Sequence, residues 1–160
     1  MSRKGINKIR KVEPDAVYNS ITVAKIINST MYDGKRTAAE KQMYLALDLI
    51  KKGFPQESEL EVLERAIENI KPKTEVRPRR IGGAVYQIPT PVRSNRQNSL
   101  AIRWLISSAR ARANKQFHTF AQKLVAEITD ALNNSGAAVT KRMEVERMAE
   151  ANKAFAHLRW

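Results

Sequence analysis

The sequence contains no cysteine and only two histidines, so the side chains that most often build disulfides, zinc sites and proton-transfer sites are scarce. His118 and His157 stand 39 positions apart and show no metal-ligand spacing. There is no glycine-rich phosphate loop followed by Lys-Ser or Lys-Thr, and no Gly-x-Ser-x-Gly motif. We therefore predict no catalytic residue, no metal site and no cofactor, and we do not expect an enzyme.

Long apolar runs are also missing. No stretch is long enough to cross a bilayer, and the basic N-terminus lacks the apolar block of a signal peptide. The 42% share of hydrophobic residues in a chain of 160 is nevertheless ordinary for a protein with a real core. These features predict a single soluble domain over residues 1–160, located in the cytoplasm and without a membrane partner.

Negative charge is scarce, since 29 Lys and Arg residues stand against 16 Asp and Glu, for a net charge of +13. The excess is sorted along the chain. Residues 1–13 carry a net +4, residues 14–70 a net −2, residues 71–115 a net +10 and residues 116–160 a net +1. A merely solvated surface would mix its signs, whereas sorted charge is typical of a face that binds a polyanion.

Apolar residues recur at helical spacing in six segments, which predicts a mainly α-helical body. Two helix starts are predicted from capping boxes, Thr37 with Glu40 and Ser58 with Glu61. The predicted helices span residues 15–31, 37–53, 58–70, 95–114, 117–132 and 137–156. The predicted buried stripe of the fourth helix is Leu100, Ala101, Trp104, Leu105 and Ser108.

A β pattern lies at residues 73–93, between the third and fourth helices. Gly82-Gly83 can supply a tight turn, and Val85 and Ile88 fit a return strand. The prolines of this segment cannot donate to a ladder, which excludes a place in the middle of a larger sheet. We therefore predict an exposed two-stranded arm that packs little on the core and holds its arginines out towards an anionic partner.

Two further groups of cations accompany the arm. Residues 1–13 show no periodicity, which predicts a flexible basic tail that either orders on RNA or DNA or merely solubilises the protein. After the arm, Arg96, Arg103 and Arg110 recur every seven residues, with Arg93 three positions earlier, so they form a row. Long side chains covering apolar surface would give the same pattern. The predicted RNA-binding residues are Arg3, Lys4, Lys8, Arg10, Lys11, Lys35, Arg36, Arg77, Arg79, Arg80, Gly82, Gly83, Arg93, Arg96, Arg103, Arg110, Arg112 and Lys115.

Three separated segments carry distinctive motifs: residues 73–93, residues 100–105 (Leu-Ala-Ile-Arg-Trp-Leu) and residues 147–160. Together with Gly34-Lys35-Arg36, they resemble bacterial ribosomal protein seven of the small subunit, from about Asp15 to the last residue. The resemblance implies a six-helix body with a protruding hairpin. It also implies binding of small-subunit ribosomal RNA, an early role in assembly of the head, and contacts of the arm with exit-site transfer RNA and the messenger RNA path.

The C-terminal segment carries more apolar surface than a terminus needs, through Phe155, Leu158 and Trp160. The resemblance implies that a neighbouring small-subunit protein of the head or platform packs there. The same side chains could instead fold back on the body of this chain.

The sequence departs from the family pattern in three places. Thr90-Pro91 predicts that the second strand ends early, and Thr140 and Glu146 weaken any RNA contact at their positions.

The alternative to a ribosomal RNA-binding protein is an architectural DNA-binding protein, because an arginine-rich β arm with prolines can enter a minor groove. Such proteins usually dimerise, and no helix face here indicates a dimer seam.

Overall fold

The structure is a computed structural model that describes residues 12–159. It contains the six predicted helices and the predicted hairpin, with a short 3-10 helix after the sixth. In chain order the elements are α1 (Ile21–Thr30), α2 (Arg36–Gly53), α3 (Glu59–Ile70), β1 (Thr74–Ile81), β2 (Ala84–Pro91), α4 (Ser94–Ala111), α5 (Phe120–Leu132), α6 (Ala137–Ala151) and the 3-10 helix (Lys153–Leu158). Most of the predicted basic tail, residues 1–11, and Trp160 lie outside the described residues.

Helix α5 lies against most of the other helices, contacting α2, α3, α4 and α6. Its Leu124 and Ile128 are buried in one cluster with Met43 of α2, Leu63 of α3 and Leu105 of α4. Each such side chain, removed from water, contributes about 1.5–3 kcal/mol to folding. This core fixes the position of α4, which carries several of the predicted binding cations. Within residues 12–159, no helix combines the length and apolarity needed to cross a membrane.

The first helix begins later than predicted. The Asp15 carboxylate accepts the backbone N–H groups of Val17 and Tyr18, each at 3.2 Å, and so stabilises a turn. The hydroxyl of Ser20 then caps α1 by accepting a backbone N–H from its first turn at 3.4 Å. The predicted start at Asp15 was wrong because this side chain binds nearby N–H groups in a non-helical turn.

Both predicted capping boxes were wrong. Helix α2 begins at Arg36, which places Thr37 inside its first turn, and Glu40 pairs with the Arg36 Nε at 2.7 Å instead of capping. Ser58 does occupy the N-cap of α3, but its hydroxyl makes no capping hydrogen bond. A capping box that we did not predict opens α5, between Thr119 and the third residue of that helix.

The two strands of the hairpin pair antiparallel along their whole length, with Thr74 opposite Pro91 at the base. The expected early end of the second strand was therefore wrong. A proline is tolerated there because it lies at the end of a two-stranded ribbon, where no further strand needs its missing N–H. At the tip, Gly82 and Gly83 have φ values of 55° and 90°, left-handed conformations that favour glycine.

The hairpin packs on α6 and the 3-10 helix along much of its length, contrary to the prediction that the arm packs little on the core. Ile88 is completely buried, and the Tyr86 ring centroid lies 5.4 Å from that of Phe155 in the 3-10 helix. The Lys73 backbone N–H donates to the Glu146 carboxylate of α6 at 3.0 Å. The prolines keep the ribbon out of a larger sheet, but they leave one of its faces free to pack on α6.

Two predictions near the helix faces also change. Helix α6 ends at Ala151 rather than near Ala156, and the remaining residues form the 3-10 helix. Trp104 and Ser108, predicted on the buried stripe of α4, are half-buried at its edge. Trp104 still packs against the core.

Candidate nucleic-acid interface

A cleft between α1 and α4 brings three cations together. It has a volume of about 690 Å³ and is lined by Lys25 of α1 and by Arg103 and Arg110 of α4, among polar and apolar side chains. None of the described residues lining it is acidic. Three positive charges on one concave, partly polar surface, with no carboxylate among them, match the electrostatics of a phosphate backbone. We call this site the α1–α4 cleft.

The α1 side of this cleft was missed by sequence reasoning. Lys25, Asn28 and Ser29 stand at i, i+3 and i+4, so they share one face of the helix. The sequence feature that could have revealed this face is a short polar stripe beside the apolar positions Val23 and Ile27. It is weak because only one of its three members is charged, and the acidic balance of residues 14–70 concealed it.

The predicted row of arginines on α4 does not act as one open row. The Arg96 Nε pairs with a Glu75 carboxylate oxygen from the hairpin at 2.7 Å. An Arg110 N–H donates to the Thr30 carbonyl oxygen at 2.9 Å. Arg103, exposed between them, lines the α1–α4 cleft. Spacing along one helix placed these residues correctly, but it did not reveal partners supplied by other elements.

Glu75 holds two of the predicted cations at the base of the hairpin. This carboxylate is only 6% exposed, and it pairs with Arg77 at 2.7 Å as well as with Arg96. Burial alone would raise the pKa of Glu75, but the hydrogen bonds from Arg96 and Arg77 outweigh it and hold that pKa below its usual value. The two arginine side chains remain 53% and 52% exposed, so the buried anion orients them without removing them from solvent.

The other predicted cations of residues 12–159 are spread over three places. Arg80 is exposed near the hairpin tip and Arg79 is half-buried there. Arg93 and Lys35 occupy the N-caps of α4 and α2, where both are exposed, and Lys115 is exposed between α4 and α5. Within the described residues, ion pairs are absent for all five of these side chains.

Arg112 has a different environment, because its guanidinium is held inside the fold. Its Nε donates to the buried Glu127 carboxylate at 2.7 Å, and a second N–H donates to Asp130. The other oxygen of Glu127 accepts the buried Ala138 N–H at 2.9 Å. Burial opposes the charge of Arg112, yet the hydrogen bonds to Asp130 and Glu127 raise its pKa. An RNA contact by this side chain stays a prediction.

The predicted protein-contact residues lie beside the hairpin. Phe155 and Leu158 are half-buried, and Phe155 packs on Tyr86 of β2. Phe155 thus folds back on this chain, but onto the arm rather than the helical core. Trp160 is outside the described residues, and a partner protein at this surface stays a prediction.

Comparison with known proteins identifies the family. Residues 2–153 match the family model for ribosomal protein S7p/S5e. The chain belongs to this family. It is 53% identical to small ribosomal subunit protein uS7 of Caldicellulosiruptor saccharolyticus over 160 residues, which cover both chains completely. The proteins of the same name from Nitratidesulfovibrio vulgaris and Bifidobacterium longum are 52% and 51% identical, again over the full length of both chains.

Family membership confirms the resemblance that the three motifs carried. The chain is a structural constituent of the small ribosomal subunit and a ribosomal protein rather than an enzyme. Its place in translation puts it in the cytoplasm, within that subunit. The family also implies contact with small-subunit ribosomal RNA and with other ribosomal proteins.

Proposed function

We propose that this chain binds small-subunit ribosomal RNA through the α1–α4 cleft and through the arginine pair that Glu75 holds at the hairpin base. The binding nucleates assembly of the head of the subunit. The observation that carries the proposal is the α1–α4 cleft, which is lined by Lys25 and Arg103, with Arg110 between it and Tyr32, and whose described lining holds no carboxylate. Phosphates placed there would meet several cations at once.

The buried Glu75 supports a second contact area. A guanidinium fixed by a carboxylate on one side keeps its remaining N–H groups in a defined direction, so it loses less side-chain entropy when it binds a phosphate. Arg77 and Arg96 are both held in this way and both remain half exposed. Helix α4 therefore contributes to two basic areas, the α1–α4 cleft and the pair formed by Arg96 with Arg77 of β1.

The test is the salt dependence of binding to small-subunit ribosomal RNA. We expect Lys25→Gln combined with Arg103→Gln to flatten the slope of log K against log salt by about 1.4–1.8 units, as the loss of two phosphate contacts requires. Lys51→Gln combined with Lys52→Gln is the matched control, because it removes the same charge from the exposed end of α2. Equal slopes for the two double variants would show that net charge, not the cleft, determines binding.

The same assay addresses the architectural DNA-binding alternative. Duplex DNA of equal length, compared at matched salt, should bind more weakly than the structured RNA. Tighter binding to the duplex would favour that alternative instead.

The tip of the hairpin has a separate role in the proposal. It reaches towards exit-site transfer RNA and the messenger RNA path, while the base stays anchored by Ile88 and by Glu75. Arg79 and Arg80 lie near the Gly82-Gly83 turn, where no side chain blocks the approach of another backbone. The tip therefore offers cations and open backbone outside the α1–α4 cleft, whose described lining includes no hairpin residue.

Deleting residues 79–84 and rejoining the strands tests this role. We expect the variant to enter small subunits normally, because the hairpin base and the cleft are retained, and those subunits to hold exit-site transfer RNA less well. Incorporation and exit-site occupancy are measured on the same preparation. Failed incorporation would make the tip an assembly anchor, and normal occupancy would remove the proposed role.

The remaining partners belong to the same proposal. Residues 1–13 add cations to the RNA-binding surface, and a neighbouring head or platform protein packs near Phe155 and Leu158. Both half-buried side chains belong to the 3-10 helix that packs on β2, so such a protein would lie next to the arm.

A further inference from the structure

An exposed tyrosine stands at the corner between α1 and α2. Tyr32 is 63% exposed, although a ring of this size usually gains stability from burial. The Arg110 guanidinium carbon lies 4.1 Å from the ring centroid, over one face. With that side covered by the cation and most of the residue still exposed, the ring offers its opposite face to solvent.

Hydrogen bonds to backbone carbonyls position the Arg110 guanidinium and the main chain of Tyr32. The Arg110 N–H that bonds the Thr30 carbonyl at 2.9 Å fixes the guanidinium above the ring. The Lys35 N–H donates to the Tyr32 carbonyl at 2.8 Å and closes the turn through Asp33 and Gly34. The aromatic surface is therefore formed before any ligand arrives, and a ligand loses little free energy in ordering it.

The ring borders a second cleft, with a volume of about 350 Å³, which shares Arg110 with the α1–α4 cleft. Its lining surface is mostly apolar, through Tyr32, Ala38, Ala39 and Phe120, and its polar members are Thr30, Lys35, Gln42 and Arg110. The Gln42 side-chain oxygen already accepts the Ala121 N–H at 3.1 Å. The amide NH₂ of Gln42 therefore remains as a hydrogen-bond donor on an apolar wall.

We propose that Tyr32, backed by Arg110, is a stacking platform for one unpaired base of the bound RNA. The base lies on the open face of the ring, and a carbonyl or ring nitrogen of the base accepts from Gln42. Lys35 faces the phosphate of the same nucleotide. The inference rests on the proposed function for the identity of the ligand, and it adds a recognition site that reads a base rather than only phosphates.

Charge favours an RNA base over an apolar side chain of a partner protein. A nucleotide combines an aromatic base with a negatively charged phosphate. The base can stack on the tyrosine ring that the Arg110 cation covers on its other face, and the phosphate can interact with the exposed lysine beside the ring. An apolar protein side chain would gain nothing from either cation. The ligand is therefore an exposed nucleotide of a loop, bulge or chain end, since paired bases cannot open onto a protein ring.

The test compares Tyr32→Phe, Tyr32→Trp and Tyr32→Leu in equilibrium binding to full-length small-subunit ribosomal RNA. The Phe and Trp variants keep an aromatic face and should bind as the unmodified protein does. The Leu variant should lose about 5- to 150-fold in affinity, the worth of one base stack. Because no cation is removed, the slope of log K against log salt should stay unchanged. Val17→Ala, which trims another exposed apolar side chain, is the matched control and should leave affinity unaltered.

Each outcome decides the inference separately from the proposed function. Unchanged affinity for Tyr32→Leu overturns the platform. If the same variant then enters subunits poorly, the ring contacts a protein instead. Loss of affinity by Tyr32→Trp to the same extent as by Tyr32→Leu would also overturn it, even if the Leu variant is less stable. The double variant at Lys25 and Arg103, run in parallel, reports on the α1–α4 cleft alone, so either site can fail while the other stands.

Discussion

Glu127 joins three parts of the fold that are distant in sequence, and its removal gives the sharpest test of how the body is held together. One carboxylate oxygen accepts from Arg112, after the end of α4, and the other accepts the Ala138 N–H at the start of α6. The residue itself is 1% exposed on α5. Gly136 packs tightly against the same carboxylate, since a Cβ there would lie 3.1 Å from a Glu127 carboxylate oxygen and 2.9 Å from the Asp130 Cβ.

The magnitude follows from what Glu127→Ala leaves behind. Arg112 would keep only Asp130, and the buried Ala138 N–H would lose its acceptor. Removing one partner of a buried ion pair costs about 3–5 kcal/mol. The Arg112 side chain is 20% exposed and Asp130 remains, so we expect the lower part of that range, about 3–4 kcal/mol. For a domain of this length, the melting temperature should then fall by roughly 6–16 °C.

Thermal unfolding followed by circular dichroism measures this effect. Glu127→Gln keeps an acceptor for the Ala138 N–H but replaces the oxygen that accepts from Arg112 with an NH₂ group. It loses the charge and that one hydrogen bond, and it should cost about 1.5–3 kcal/mol. Glu57→Ala is the control, because it removes an exposed carboxylate paired with Arg65 at 2.7 Å and should cost at most about 1 kcal/mol. A melting temperature for Glu127→Ala equal to that of the control would refute the reasoning.

Two further predictions concern the tyrosine and tryptophan side chains. Burial, with the hydrogen bond that its hydroxyl donates to Asp15, raises the pKa of Tyr44 from 10.0 to about 12, so its stabilising effect should be complete below pH 10 and lost as pH rises towards 12. Tyrosinate absorbance on alkaline titration should show a late-ionising component that shrinks by one tyrosine in Tyr44→Phe; a full early titration contradicts this. Burial also raises the pKa of Tyr18, so part of the late component should persist in that variant. Trp104→Ala should lower the free energy of unfolding by about 2–3 kcal/mol, less than for a fully buried tryptophan, with RNA affinity unchanged at temperatures where the variant is folded. Lost affinity with unchanged melting would make Trp104 a base-contacting residue instead.

Periodicity predicted the elements of this fold because most of its stability comes from burial of regular apolar faces. The spacing of Leu124 and Ile128 on α5, or of Leu100 and Leu105 on α4, reappears as the observed core. The hairpin was predictable for a related reason, since Gly82-Gly83 is favoured in a turn with positive φ. Apolar spacing and turn glycines are both local features, so each can be recognised within a few residues of sequence.

Ion pairs and helix starts were not predictable in this way, because their partners come from other elements or compete locally. Glu75 pairs with Arg96, 21 positions away, and no pattern within α4 announces a carboxylate from the hairpin. Glu40 was expected to cap a helix but pairs with Arg36. Asp15 was expected inside a helix, yet it caps a turn and accepts from Tyr44. One polar side chain can satisfy several donors, so its sequence position alone does not choose among them.

These pairings change what the net charge of the chain means for binding. Residues 71–115 carry eleven cations, which by number alone would give a slope of about −8 to −10 for log K against log salt. Four of the eleven already have carboxylate partners within residues 12–159, namely Lys71, Arg77, Arg96 and Arg112. The other seven would give about −5 to −6. A carboxylate beside a guanidinium partly cancels the positive potential that the guanidinium exerts on a phosphate. The paired arginines therefore contribute oriented N–H donors more than net positive charge. The contribution of residues 71–115 to the slope should therefore lie nearer the smaller value. Glu75→Gln removes the negative charge that pairs with Arg77 and Arg96, so it should steepen the slope. The same variant should loosen the hairpin base, which both arginines help to hold.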